Sequence, residues 1–222
     1  MQEAGLVFRA TKDLDIVLFV EALDAEFVEV FWAFVHEGGY QVQEKADGTK
    51  RFYRFQKPKS DAYPFMLELF SRVPDALAIA EGSHLTPIPM AQGISSLSAI
   101  LVDDEYYGFI RSTTRTLAGL PVVSPEGLIT LKARAWLDLA ERRRNGEAVD
   151  GRDVQKHRND VFRLYQIIDP DAVLEIPGKV KADMAEFLAR AASEGVDLKA
   201  LGMANAELSS ILVGLRRLYR VE

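Results

Sequence analysis

Asp13-Leu14-Asp15-Ile16-Val17-Leu18-Phe19-Val20 is the stretch on which the reading of this chain turns. Its length and β-branched content suit a buried strand, and it opens on two carboxylates one residue apart. Side chains alternate faces along a strand, so Asp13 and Asp15 fall on the same face. Two like charges there repel unless a cation lies between them. A divalent metal is the usual solution, and Mg2+ favours carboxylate oxygen together with substrate phosphate. An Asp-x-Asp pair also occurs at turns and helix starts, so the pair alone leaves that plainer reading open.

Downstream of this strand the pattern alternates between strand and helix. Asp24 has the character of an N-cap, and Phe27, Val30, Phe31, Phe34 and Val35 recur at helical spacing until Gly38-Gly39 stops the helix. Strands are expected at Tyr40–Gln43, Arg51–Gln56, Phe65–Phe70 and around Ile88 to Met90, with Asp47-Gly48 as a hairpin turn. The third of these holds a further carboxylate. In Phe65-Met66-Leu67-Glu68-Leu69-Phe70, Glu68 is the lone charge in an apolar run. A buried glutamate is costly to desolvate and needs a partner. Beside the Asp13/Asp15 strand it would complete a three-carboxylate site able to take two metals. It could equally be an exposed edge residue or the ion-pair partner of an arginine.

Around Pro121 the pattern becomes helical. Ser124-Pro125-Glu126 is a helix start, with a capping residue followed by proline at the first helical position. That helix should run through Lys132 and Trp136 to Asn145-Gly146, and three more are expected near 151–168, 177–193 and 203–220. Leu208, Ile211, Leu212 and Leu215 in the last read as core rather than as a partner groove. The expectation is an α+β chain, with a mixed sheet and flanking helices over residues 1–120 and a helical bundle over 121–222.

Composition narrows the function classes. The 222 residues contain no cysteine, which excludes disulfides, thiolate metal sites and a cysteine nucleophile and suits a reducing cytoplasm. No apolar run approaches the ~20 residues of a membrane span, and the N-terminus lacks signal-peptide character. A cytoplasmic protein without a membrane partner is expected. The net charge of −6 argues against whole-surface binding of nucleic acid. That charge is uneven: residues 1–120 hold 11 basic and 17 acidic residues, whereas 132–163 hold 9 basic and 6 acidic.

Three motifs in order carry a resemblance. Arg9-Ala10-Thr11-Lys12-Asp13-Leu14-Asp15-Ile16 resembles the Arg-x-Ser/Thr-x-Asp-x-Asp segment of AbiEii/AbiGii-type nucleotidyltransferases, members of the DNA polymerase beta-like superfamily. Glu68 within Leu-Glu-Leu-Phe-Ser resembles the later carboxylate strand of that fold. Lys132-Ala133-Arg134-Ala135 and Lys156-His157-Arg158-Asn159-Asp160 look like the family's later blocks. The resemblance spans roughly residues 6 to 168. It implies that Asp13, Asp15 and Glu68 hold Mg2+ or Mn2+. It implies that Arg9, Thr11 and Lys132 position nucleotide phosphates, with Lys156 and Asp160 supporting the site. It further implies a nucleoside triphosphate donor such as GTP, an RNA (tRNA), protein or small-molecule acceptor, and an antitoxin partner in a toxin–antitoxin or phage-defence pair.

Each role has a plainer counterpart. Lys156 and Asp160 share a helix face, as an ordinary salt bridge would. His157 reads as a hydrogen-bonding histidine rather than a base or ligand. Arg142-Arg143-Arg144 reads as cations favouring a helix C-terminus. The Gly-Gly or Gly-Ser pair that family members carry ahead of the Asp-x-Asp strand is not among the twelve residues before Asp13, where Gly5 is the one glycine. Hence the expected sheet domain is N-terminally incomplete or degenerate, and a catalytically inactive nucleotide-binding or interaction protein is the alternative function. An antibiotic-modifying nucleotidyltransferase is a third possibility on the same carboxylates.

Overall fold

The structure is a computed structural model, and it describes residues 13–19, 25–44, 50–73, 85–87 and 98–222. Arg9, Thr11, Asp24, the Asp47-Gly48 turn and the strand expected at Ile88 to Met90 lie outside the described residues. The chain is a mixed α+β protein, a mixed sheet with flanking helices followed by C-terminal helices. The described residues fall into two compact units, one ending at Tyr107 and the other starting at Gly108.

In the first unit, β1 (Asp13–Val17), α1 (Ala25–Gly38), β2 (Gln41–Glu44), β3 (Lys50–Gln56) and β4 (Met66–Ser71) follow the expected order. β5 (Leu85–Pro87) and β6 (Ser98–Leu101) complete a sheet of order β2-β3-β4-β6-β5, with β1 paired to β4 outside that run. β4 is the organising strand: β1 and β6 lie parallel to it, and β3 antiparallel. Its side chains alternate as the sequence requires. Leu67 and Leu69 are fully buried and Glu68 between them is not. On the buried side, Phe55 and Ala99 join the two leucines in one core with Val28, Phe31 and Val35 of α1. Phe31 and Trp32 both meet the Phe55 ring edge-on, at 5.4 and 5.7 Å. Burial of each such side chain contributes about 1.5–3 kcal/mol, which fixes the sheet's inner face and so its outer one. The helix ends where expected, with Gly39 in the left-handed region at φ 62°.

Three elements differ from expectation. The chain between 98 and 123 holds β6, then α2 (Asp104–Thr113) and a hairpin of β7 (Thr114–Leu117) and β8 (Leu120–Val123), none of which the sequence reading foresaw. The turn of that hairpin is Ala118-Gly119, both at positive φ (51° and 82°). Such turns usually announce themselves by Asn-Gly or Asp-Gly, and alanine carries no such signal.

The second unit follows the expected helices. In α3 (Pro125–Arg144), the Ser124 hydroxyl caps the start by accepting from the Gly127 N–H at 3.3 Å, with Pro125 at the first helical position. α4 (Gly151–Tyr165), α5 (Gly178–Glu194) and α6 (Leu208–Tyr219) follow; the last begins at Leu208 rather than near 203, and a short 3-10 turn at Lys199–Leu201 precedes it. Trp136, Phe162, Phe187, Met184, Leu215 and Tyr219 form one buried core drawn from all four helices. Ile211, Leu212 and Leu215 lie in that core, as read from their spacing. Among the described residues no helix is long and apolar enough to cross a membrane.

Candidate functional site

The first set of predicted residues lies on the sheet. Asp13 and Asp15 share one face of β1 through the two-residue period. In the parallel pairing Asp15 is the register partner of Glu68, and Asp13 that of Met66. Adjacent strands are about 4.8 Å apart, so Asp15 and Glu68 are neighbours across the strands. The sheet thus brings Asp13, Asp15 and Glu68 to the same face, opposite the one that α1 covers.

On the other side of Glu68 stands Arg54, its register partner in antiparallel β3. The Arg54 Nε donates to Glu68 Oε1 at 2.6 Å, and Nη2 lies 2.5 Å from the same oxygen. The Glu68 side chain keeps only 14% of its surface exposed, against 34% for Arg54. A carboxylate this deep requires a cation, and Arg54 supplies it. Of the alternatives open for Glu68, the structure realises the arginine ion pair. Sequence reasoning did not identify Arg54. Its signal was the alternation of Tyr53-Arg54-Phe55 in a strand, which sets a lone cation between two buried aromatic side chains.

The chemistry of the sheet face suits a hard divalent cation, because every candidate donor there is a carboxylate oxygen. The arrangement suits it less well. Among the described residues no three His, Asp or Glu side chains stand together as a metal ion would require. Asp13 and Asp15 carry the carboxylate oxygens that such an ion takes, and Glu68 carries Arg54 as its partner.

The second set lies in the helical unit. Lys132 sits on α3, and Lys156, His157 and Asp160 sit on α4. These residues gather around the half-buried His157 ring, and burial is the main cause that lowers its pKa to about 4. The charges of Lys132 and Lys156 push it further down, while Asp160 and Asp153 partly oppose them. The imidazole is therefore neutral near pH 7. Its Nδ1 is shut off from solvent with no hydrogen-bond partner, so the expected hydrogen-bonding histidine is not what packing between α3 and α4 produces at that atom. Asp160 is 2% exposed and accepts from Arg163 Nη1 at 3.0 Å. Arg158 beside it is also buried, with Nη2 donating to Gln155 Oε1 at 2.5 Å. Arg142, Arg143 and Arg144 occupy the last turn of α3, the helix-terminus reading of that run. Arg142 is tied to Glu147 at 2.8 Å.

Comparison of the chain with protein-family models, with curated proteins and with solved structures gives no match. The functional reading therefore rests on the residues and the geometry of each unit.

Proposed function

We propose that this chain is a nucleotidyltransferase-like protein of the AbiEii type, which binds a nucleoside triphosphate with Mg2+ or Mn2+. In this reading it transfers a nucleotide to a hydroxyl of RNA, protein or a small molecule. The observation that supports it is the register of β1 on β4, which sets Asp15 beside Glu68 with Asp13 on the same face. A nucleotidyltransferase needs carboxylates converging on one surface, and strand pairing converges these from two distant parts of the chain. A divalent cation held there would neutralise phosphate charge and polarise the reacting phosphoryl group. Asp13 and Asp15 would be its principal ligands. Lys132 and Lys156, compact cations near a neutral histidine, are the phosphate-binding candidates of the helical unit. GTP as donor, tRNA as acceptor, an antitoxin partner and a cytoplasmic setting belong to the same proposal and come from the motif resemblance.

The decisive experiment is calorimetric titration of each triphosphate, with and without Mg2+, on this chain and on Asp13→Asn/Asp15→Asn. Metal-dependent binding that disappears in the variant is the expected result, followed by loss of labelled-nucleotide transfer. Undiminished binding in the variant would remove the carboxylates from the site. A second reading, a nucleotide-binding or interaction protein without turnover, is favoured by one observation: Glu68 already has a cation in Arg54. Triphosphate binding with no transfer product would decide for it.

A further inference from the structure

We infer that Arg54 is a built-in counter-cation for Glu68, so that the Arg54–Glu68 ion pair and a divalent cation on Glu68 are alternative states of one carboxylate. This rests on the metal reading of the sheet face given above.

Three features of the sheet support it. Two of the three guanidinium nitrogens, Nη2 and Nε, converge on a single oxygen, Oε1, at 2.5 and 2.6 Å, a compact charge-assisted contact rather than a loose surface pairing. Glu68 also has Asp15 as its cross-strand neighbour on β1. An adjacent like charge increases the need for a cation at Glu68, and Arg54 meets that need from the opposite strand. Third, the two partners differ in access. Glu68 is anchored at the middle of β4 between the fully buried Leu67 and Leu69, while Arg54 keeps a third of its side chain in water. The arginine can therefore leave by rotating its own long stem, with β3 and β4 still paired. Glu68 cannot follow it.

Glu68 is held toward β3, and it becomes a ligand beside Asp15 only once Arg54 lets go. A cation must then compete with a covalently tethered guanidinium, which lowers its affinity. Arg54 thus sets the metal concentration at which the site fills.

The test is calorimetric titration of Mn2+ alone into the full chain, Arg54→Gln, Glu68→Gln and the Arg54→Gln/Glu68→Gln double variant. Removing an opposite charge at this range changes a carboxylate's cation affinity by about tenfold or more. Arg54→Gln is therefore expected to bind Mn2+ about tenfold more tightly than the parent chain, and the gain is expected to vanish when Glu68 is already Gln. Equal affinity in parent and Arg54→Gln, both abolished by Asp13→Asn/Asp15→Asn, overturns the inference and leaves the metal site standing. Mn2+ binding by neither overturns the metal reading and the inference with it. Should Arg54→Gln fail to fold, Arg54→Met carries the test. It keeps the long stem but removes the charge, so a gain in affinity supports the competition and no gain overturns it.

Discussion

The sheet unit and the helical unit hold their candidate residues in opposite surroundings. On the sheet, Asp15 is exposed and Arg54 is a third exposed, and both are set out by strand alternation on the face that the core does not use. In the helices, Asp160 is 2% exposed and Arg158 9%, and His157 on the same helix is half-buried. Charges left at a surface cost little to keep and stay available to a ligand. Charges built into helix packing are committed to neighbours, and removing one leaves the other buried without compensation. Substitution of the exposed Asp15 should therefore report on binding, and substitutions on α4 should report first on folding.

The largest effect tests whether the two cores are separate. Phe187 is fully buried against Trp136, 5.3 Å away and edge-on, and Phe162. Phe187→Ala should cost about 3–5 kcal/mol. The two tryptophans, Trp32 in the sheet core and Trp136 in the helical core, can each be followed alone after the other is changed to Phe. Denaturation should shift at Trp136 and stay in place at Trp32. An equal shift at both would mean that the two cores unfold as one.

A matched pair of carboxylate substitutions sharpens the contrast. Asp160→Asn breaks the contact with Arg163 inside the helical unit and should lower stability by about 1–3 kcal/mol. Asp15→Asn, at an exposed strand position, should leave stability within about 0.5 kcal/mol. Its effect should be confined to cation and triphosphate binding. Comparable losses of stability in both variants would erase the distinction between the units.

This contrast also explains what was legible beforehand. The face shared by Asp13 and Asp15, the exceptional position of Glu68, and the capped start of α3 follow from local rules: the strand period, an odd charge in an apolar run, and the Ser-Pro signature. Arg54 was not legible as the partner, because choosing it requires the register of β3 on β4, a long-range property. The same holds for the burial of Asp160 and His157. The i,i+4 spacing of Lys156 and Asp160 looks alike on a solvated helix and a packed one, and only the packing of the helical unit decides. α2 was hidden by its composition, since the two tyrosines, Phe109 and Ile110 in it favour strands as readily as helices.

His157 gives the helical unit a pH dependence. Its folded-state pKa of about 4 lies below the ordinary 6.5, chiefly through burial. Above pH 6.5 the ring is neutral in both states and contributes nothing. As pH falls from 6.5 toward 4 the unfolded chain takes up a proton that the folded chain refuses, so stability declines through that window and levels off below it. Because the half-buried ring remains partly screened by water, the decline should be about 1–2 kcal/mol. Asp150, held below its usual range by hydrogen bonds from Arg152, acts in the same direction but only below its ordinary value of 3.8. His157→Gln should flatten the curve of stability against pH between 4 and 6.5. A slope that survives the substitution assigns the effect elsewhere.

The smallest expected effect concerns the element that the sequence concealed. Ala118 sits in the left-handed region at φ 51° in the Ala118-Gly119 turn between β7 and β8. An L-residue with a Cβ is disfavoured there by about 1–2 kcal/mol, and asparagine tolerates the region better because its side chain bonds locally. The turn is exposed, with Leu117 and Leu120 more than half open to solvent, so a new side chain meets no packing penalty. Ala118→Asn should therefore stabilise the helical unit by about 0.5 kcal/mol, read at Trp136, and should leave triphosphate binding unchanged. The variant would also carry the Asn-Gly signal whose absence hid the hairpin. A loss of stability would show that the turn does not hold both residues at positive φ in solution, and the β7–β8 pairing built on it would have to be redrawn.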